Sequence, residues 1–274
     1  MKTLRSFFII SAAVAAAVML TSCSNGSFTF VQMTDTQLGF AECRTFEQDS
    51  LNCMVAVGMV NALNPDFVVI TGDLVDNPVV EREMSCYLDV QEALIPEVYQ
   101  LPGNHDYRPG YPGQTLEEKV DSFKALRGDN RFAFVHKKTG FLGFDSNIIK
   151  EDNGRLEAEQ YQWMEEQLAG MAGNCRQIFL FCHCPLVLES LDEPETYDSF
   201  SFPMRARYME LFKKYGVTAL FTGHLHRCND IEIDGIRMIT TGAAGLSLHE
   251  GYTEGFGRIA VSRKSFEYEF IPLK

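Results

Sequence analysis

Five short clusters of polar residues, each directly after an apolar run, hold the side chains of this sequence that can do chemistry. In chain order, the clusters centre on Asp35 and Gln37, on Asp73, on Asn104, His105 and Asp106, on His183, and on His224 and His226. Carboxylate, amide and imidazole groups suit hard or borderline divalent ions such as Mn, Fe and Zn. Two such ions about 3.5–4 Å apart can share a bridging carboxylate, activate a water and clamp a phosphoryl group. The clusters therefore predict a two-metal site.

No single cluster carries this prediction. A Gly-Asp pair after a strand is commonly just a turn, and most His-X-His pairs bind no metal. All five clusters in order, each after a predicted strand, indicate a metal site rather than hydrogen-bonded polar turns. Gly72, Gly103 and Gly223 each precede a predicted ligand, where a tight turn must let the backbone come close.

The elements that position these clusters follow from the hydrophobic pattern. We predict strands at Phe28–Met33, Phe67–Thr71, Val98–Leu101, Phe132–Val135, Gly140–Phe144, Gln177–Cys182, Ala219–Thr222, Ile231–Ile233, Arg237–Thr240, Gly257–Ser262 and Phe266–Ile271. We predict helices at Thr45–Leu63, Val80–Ile95, Thr115–Leu126, Glu157–Met171 and Pro203–Tyr215. The strand-helix-strand rhythm of the first two-thirds indicates parallel pairing through crossover helices. The helix-free tail favours antiparallel strands closing a second sheet.

Residues 28–274 are thus expected to form one α/β domain, with two sheets face to face and helices outside. In such sheets, ligands bind in the crevice beyond the carboxyl ends of the strands. The polar clusters therefore converge on one edge.

The N-terminal segment has the pattern of an export signal. Lys2 and Arg5 precede an apolar run from Phe7 to Leu20, which is shorter than the roughly twenty residues that a membrane span needs. The sequence Leu20-Thr21-Ser22-Cys23 resembles the bacterial lipobox, in which the cysteine is acylated. We expect a signal peptide at 1–22, a lipidated tether at 23–27, and a monomeric lipoprotein anchored in the cell envelope and facing the periplasm. The alternative is ordinary cleavage near Ser22, with Cys23 as an incidental thiol.

Charge and cysteine usage limit the other possibilities. The net charge of −13 argues against tight nucleic-acid binding. Eight cysteines are present, and sequence cannot assign their pairing. Cys182 and Cys184 flank His183, and we expect them to pack in the core.

The order of motifs resembles the calcineurin-like metallophosphoesterase superfamily. The motifs that carry the resemblance are Asp35-Thr36-Gln37, Gly72-Asp73-Leu74-Val75-Asp76, Gly103-Asn104-His105-Asp106, His183-Cys184-Pro185 and Gly223-His224-Leu225-His226. Phe144-Asp145-Ser146-Asn147 and Thr240–Leu246 extend it over nearly the whole chain after the leader. The sequence looks most similar to the subgroup of calcineurin-like phosphoesterase domain-containing proteins, thought of as protein serine/threonine phosphatases. The resemblance implies the metallo-dependent phosphatase fold, a four-layer α-β-β-α sandwich of two mixed sheets flanked by helices.

The resemblance also implies a role for each residue. Asp35 and His226 would hold one metal, Asn104, His183 and His224 the other, and Asp73 would bridge them. His105, held by Asp106, would be the catalytic histidine, and a metal-bridging hydroxide would attack phosphorus. Gln37 departs from the Asp-X-His form of most members, and it is either a weak amide ligand or an outer-sphere residue.

Several functions remain open at this point. The resemblance implies a dinuclear-metal phosphoesterase, with a phosphomonoesterase favoured and a phosphodiesterase or nucleotide hydrolase as alternatives. Its substrate would be a phosphorylated small molecule or a phosphoprotein. A non-catalytic metal- or phosphate-binding lipoprotein is the other class. We also expect Asp76 to brace its loop, and the acidic run from Glu189 to Asp198 to be a mobile surface loop rather than a substrate rim.

Overall fold

Two mixed β-sheets form the centre of the fold in a computed structural model, which describes residues 26–40, 45–107, 113–151, 154–248 and 251–274. The strands are β1 (Phe28–Met33), β2 (Phe67–Thr71), β3 (Glu97–Leu101), β4 (Phe132–His136), β5 (Thr139–Gly143), β6 (Gln177–Phe181), β7 (Ala219–Thr222), β8 (Asn229–Ile233), β9 (Ile236–Thr240), β10 (Gly255–Val261) and β11 (Phe266–Pro272). The first sheet has the order β11-β10-β1-β2-β3, and the second has the order β4-β5-β6-β7-β9-β8. In the first sheet β1, β2 and β3 run parallel, and in the second β5, β6, β7 and β9 do.

Helices cover the outer face of each sheet. They are α1 (Phe46–Leu63), α2 (Glu81–Ala93), α3 (Leu116–Arg127), α4 (Ser146–Lys150), α5 (Gly154–Met171) and α6 (Phe202–Tyr215), and a 3₁₀ turn spans His105–Tyr107. Buried residues of α1, α2 and α3 share one apolar core with the first sheet, and those of α5 and α6 share another with the second. The layers are therefore helix, sheet, sheet and helix, which is the predicted sandwich.

Because successive side chains of a strand point to opposite faces of its sheet, the buried apolar residues form three separate cores, one between the sheets and one under each helix layer. In β1, Phe28 and Phe30 point between the sheets, whereas Val31 and Met33 face the helices. This follows from the two-residue period of a strand. The space between the sheets is filled largely by phenylalanine, and the Phe30 and Phe67 rings stack at 5.3 Å. Because such an interior is close-packed, it fixes the two sheets against each other and aligns the strand ends that carry the polar clusters.

Every predicted strand and helix is present, and no end is shifted by more than three residues. The tail differs from the prediction. β10 and β11 do not close the second sheet: β10 pairs antiparallel with β1 and extends the first sheet. β8 and β9 join the second sheet as an antiparallel pair. Alternating apolar residues indicate strands but do not show which edge a strand will join. The pattern also did not predict α4, which is only five residues long.

The leader and Cys23 lie outside the described residues. Among the helices that the structure describes, none is long and apolar enough to cross a membrane.

Candidate metal centre

The carboxyl ends of β1, β2, β3, β6 and β7 bring the five polar clusters to one place. A cavity of about 310 Å³ there is lined by Gln37, Asp73, Asn104, His105, His224 and His226. Asp35 and His183 lie fully buried beside it. The strand-end argument therefore predicted correctly that these side chains would meet, although they are far apart in the sequence.

The backbone at these positions is bent into an uncommon form. Positive φ angles occur at Asp35, Gln37, Asp73, His224 and His226, which are five of the seven predicted ligands. Non-glycine residues rarely adopt such angles, and those that do cluster at functional sites. The turns also need glycine, because a Cβ on Gly103 would lie 2.1 Å from Oδ1 of Asp73.

Four acceptor atoms converge around His183. Its Nδ1 donates to the carbonyl of Thr71 at 2.8 Å, which leaves Nε2 turned toward the site. This Nε2 lies 3.2 Å from Oδ2 of Asp73, 3.1 Å from Oδ1 of Asn104 and 3.2 Å from Nδ1 of His224. Carboxylate and amide oxygens carry no proton of their own. A shared cation is the group that satisfies all four atoms together.

The pKa values of this cluster reflect the same crowding. Burial lowers the pKa of His183, but the charge of Asp73 outweighs it and raises the pKa to about 9. Burial opposes ionisation of Asp73, yet the neighbouring His183 holds the pKa of Asp73 below its ordinary value. Burial and the positive His183 lower the pKa of His224 to about 3. Because metal ligands bind in their deprotonated form, a metal ion at this cluster would compete with protons for His183 and Asp73.

A second group of candidate ligands lies beside the first. His226 Nδ1 donates to the carbonyl of Leu246 at 2.5 Å, and its Nε2 lies 3.5 Å from Oδ1 of Asp35. Both oxygens of Asp35 accept from the backbone N–H of His224, which ties the first cluster to the fifth. Oε1 of Gln37 is buried and has no hydrogen-bond partner among the described residues. A buried amide oxygen with no partner is costly, and a metal ion would satisfy it. The residues present therefore fit two divalent ions.

His105 is held by a different carboxylate from the one predicted. Its Nδ1 lies 2.7 Å from Oδ1 of Asp76, whereas Asp106 accepts from the backbone N–H groups of Gly103 and Leu74. The prediction that Asp106 holds the ring is wrong. The 3₁₀ turn that begins at His105 points the next side chain back under the loops. Asp76 braces its loop as expected, and it does so through this histidine.

Asp106 instead holds two of the site's loops together. Its carboxylate joins the turn after β2 to the turn after β3 through those buried N–H groups. Burial and the nearby charge of Asp73 raise the pKa of Asp106 to about 7.

A short segment after β5 supports the ligand loops, although no role in the site was predicted for it. Asn147 donates to the carbonyl of Gly103 at 3.0 Å, and the hydroxyl of Ser146 accepts from the backbone N–H of Cys184. Asp145 caps the N-terminus of α4 by accepting from the N–H of Asn147. An Asp-Ser-Asn sequence after a strand is a helix-cap signal, which would have been the way to find α4.

The acidic run predicted to be a mobile surface loop instead borders the site. Tyr197 and Asp198 line the cavity, and Oδ1 of Asp198 lies 3.6 Å from Nε2 of His224. The guanidinium of Arg205 is fully buried under this loop. It donates to the carbonyls of Leu191, Glu193, Pro194 and Phe200 and to the hydroxyl of Ser199. A loop held by this many charge-assisted bonds is a fixed wall of the site.

Comparison with known proteins agrees with this geometry. The family model described as calcineurin-like phosphoesterase matches residues 28–228. The mouse (Mus musculus) serine/threonine-protein phosphatase CPPED1 is 27% identical over 270 residues, covering 90% of this chain and 85% of its own. A probable glycerophosphodiester phosphodiesterase GpdQ from Arcobacter nitrofigilis is 28% identical over 179 residues, covering 64% of this chain and 62% of its own. Among solved structures, purple acid phosphatase PPD1 from yellow lupin (Lupinus luteus) superposes with a TM-score of 0.68 at 16% identity, covering 90% of this chain and 52% of that one.

Proposed function

This chain belongs to the calcineurin-like phosphoesterase family, and we propose that it is a phosphomonoesterase of the bacterial cell envelope that uses two divalent ions. That it is a metal-dependent hydrolase of phosphate esters follows from the family. The observation that carries the site assignment is the convergence of acceptor atoms from Asp73, Asn104, His183 and His224 on one point. We assign these four residues to one ion, and Asp35, Gln37 and His226, with Asp73 shared, to the other. Mn, Fe and Zn all suit such a set of oxygen and imidazole ligands.

When bound, the two ions would activate a water and neutralise the charge of the phosphoryl group. The chain's own residues complete the chemistry. Nδ1 of His105 is engaged by Asp76, and its Nε2 lies 4.0 Å from Oδ2 of Asp73, on the side of the candidate metal ligands. A protonated His105 in this position donates a proton to the leaving oxygen as general acid. Asp76 fixes the orientation of the ring through its contact with Nδ1.

A monoester preference is supported by the extent of the similarity. The relative named as a phosphatase is 27% identical over 90% of this chain, whereas the two named as phosphodiesterases are 28% identical over 64% and 23% identical over 80%. Small organophosphates are favoured over phosphoproteins, because phosphoproteins and their kinases are mainly cytosolic.

The test is hydrolysis of p-nitrophenyl phosphate and bis(p-nitrophenyl) phosphate by residues 24–274 loaded with Mn. Asp73→Asn should abolish turnover, whereas Asp121→Asn, at an exposed position of α3, should not. Faster turnover of the monoester than of the bis ester is expected, and the reverse order would make the enzyme a diesterase. Full metal occupancy without turnover of either ester would instead favour a binding protein.

The envelope location is a separate proposal that rests on the N-terminal sequence. The charged start, the apolar run to Leu20 and the placement of Cys23 support lipid attachment at Cys23. Metabolic labelling with an alkyne fatty acid should mark the wild type and leave Cys23→Ser unlabelled. Labelling that persists in Cys23→Ser would contradict the proposal.

A further inference from the structure

A second cavity opens beside the metal centre and shares the lining residues Asn104, Tyr197 and His224 with it. It has a volume of about 450 Å³, and its lining includes the candidate ligands Asn104 and His224. Its lining also includes the side chains of Lys119, Lys150 and Glu151. An ester bound at the metal centre can therefore extend past these shared residues into the second cavity.

Lys150 brings a positive charge to the cavity that no carboxylate balances. It is the last residue of α4 and is partly buried, and its ammonium donates to the carbonyl oxygens of Tyr197 and Ser199. Within the described part of the chain, no carboxylate forms an ion pair with it. The neighbouring Lys119, in contrast, pairs with Glu151 at 3.1 Å. A partly buried cation held by neutral acceptors alone favours an anion brought by a ligand.

Tyr197 forms a flat wall between this cation and the metal centre. Its ring centroid lies 5.1 Å from that of His224 and 5.1 Å from Nζ of Lys150. The ring is largely exposed to the cavity side of the loop, and the loop is held from below by the buried Arg205. A fixed aromatic face offers apolar contact to the body of a bound group at little entropic cost.

We propose that this second cavity is the leaving-group subsite, and that it takes phosphate esters whose leaving group carries a second anionic group. Lys150 binds that second anion, a carboxylate or another phosphate, while the Tyr197 ring contacts the connecting part of the substrate. The inference rests on the proposed function, since it assumes that a phosphate ester is hydrolysed at the metal centre. It adds a basis for substrate specificity that the metal ligands alone do not provide.

The test compares matched pairs of substrates on the full-length chain purified in detergent. One pair is phenyl phosphate and 4-carboxyphenyl phosphate, and the other is propane-1,3-diol monophosphate and its bisphosphate. The measured quantity is the ratio of kcat/KM for the substrate with the second anion to kcat/KM for its partner. Lys150→Met, which keeps the length of the side chain, should lower this ratio about tenfold. The pair that shows the larger drop tells whether the second anion is a carboxylate or a phosphate.

Two variants make the outcome specific. Lys150→Arg keeps the charge and should restore most of the ratio, and Lys124→Met, on the exposed side of α3, should leave it at the wild-type value. An equal loss on both members of each pair would overturn the proposal, because Lys150 would then act only through the loop that it holds. An unchanged ratio would also overturn it. Failure of the proposed function is seen separately, as absence of turnover of phenyl phosphate by the wild type.

Discussion

The Oδ1 atom of Asp76 lies 2.7 Å from Nδ1 of His105, and the two side chains reach each other from loops that follow different strands. Asp76 follows β2, and His105 follows β3. The contact fixes which ring nitrogen faces the substrate. This is the arrangement by which a carboxylate orients a histidine that transfers protons.

Asp76→Asn should lower kcat for phenyl phosphate about tenfold or more, because the amide no longer fixes the orientation and tautomer of the His105 ring that transfers the proton. The loss should be smaller for p-nitrophenyl phosphate, whose leaving oxygen needs no proton. Metal content, measured by inductively coupled plasma mass spectrometry, should equal that of the wild type. If Asp76 had a purely structural role, the substitution would lower kcat for both substrates by the same factor. That result would remove Asp76 from the mechanism.

Gln37→Ala should lower the affinity of one of the two sites for its metal ion and leave the affinity of the other site unchanged. The buried Oε1 of Gln37 has no hydrogen-bond partner among the described residues, which is expected of a ligand. Loss of an outer-sphere residue typically costs 10–100-fold in metal affinity, so we expect a drop of more than about 100-fold at one site. A calorimetric titration with Mn measures the affinities of the two sites separately. Gln162→Ala, exposed on α5, is the matched control. Two unchanged affinities in Gln37→Ala would show that Gln37 is not a metal ligand.

Asp145 should make stability depend on pH in the acidic range. Burial raises the pKa of Asp145 to about 6, against the lowering effect of hydrogen bonds from Tyr107 and Asn130. A raised folded-state pKa means that the folded protein binds the proton more tightly than the unfolded chain does. The resulting stabilisation is present below about pH 4 and is lost as the pH rises through about 6.

The wild type should therefore lose stability relative to Asp145→Asn between pH 4 and pH 7. The shift of about two pKa units corresponds to at most about 3 kcal/mol. Urea unfolding of both proteins in EDTA measures the difference, because the other titrating groups cancel. A difference in unfolding free energy that stays constant from pH 4 to pH 7 would contradict the assigned burial of this carboxyl.

Most of the fold and the meeting of the polar clusters could be predicted because both follow from local periodicity. The run Phe28–Met33 reads as a strand from its own residues, and Asp35 must follow its end. The sheet edge that β10 joins could not be predicted in this way, because it depends on packing between distant segments.

Dependence on contacts between distant segments also explains the wrong predictions within the site. Asp76 and Asp106 are both acidic residues near His105, and only the 3₁₀ turn decides which of them reaches the ring. The place of Tyr197 beside the metal centre depends on Arg205, a buried cation whose partners are mainly backbone carbonyls of one loop. Backbone acceptors leave no mark in the amino-acid sequence, so this contact gave no signal.

Gly103→Ala and Gly58→Ala should change stability in opposite directions, although the chemical change is the same. A Cβ at Gly103 would lie 2.1 Å from Oδ1 and 2.3 Å from the backbone N of Asp73. The backbone atom cannot move aside without opening the turn, so we expect a loss of about 3 kcal/mol in unfolding free energy and a loss of metal binding. A Cβ at Gly58, exposed within α1, meets no described heavy atom within 4 Å. Alanine there should add about 0.5–1 kcal/mol, because glycine is a poor helix former. Thermal unfolding with and without Mn measures both effects. If Gly103→Ala kept its metal and its stability, the loop of Gly103 would not approach Asp73 as closely as in this structure.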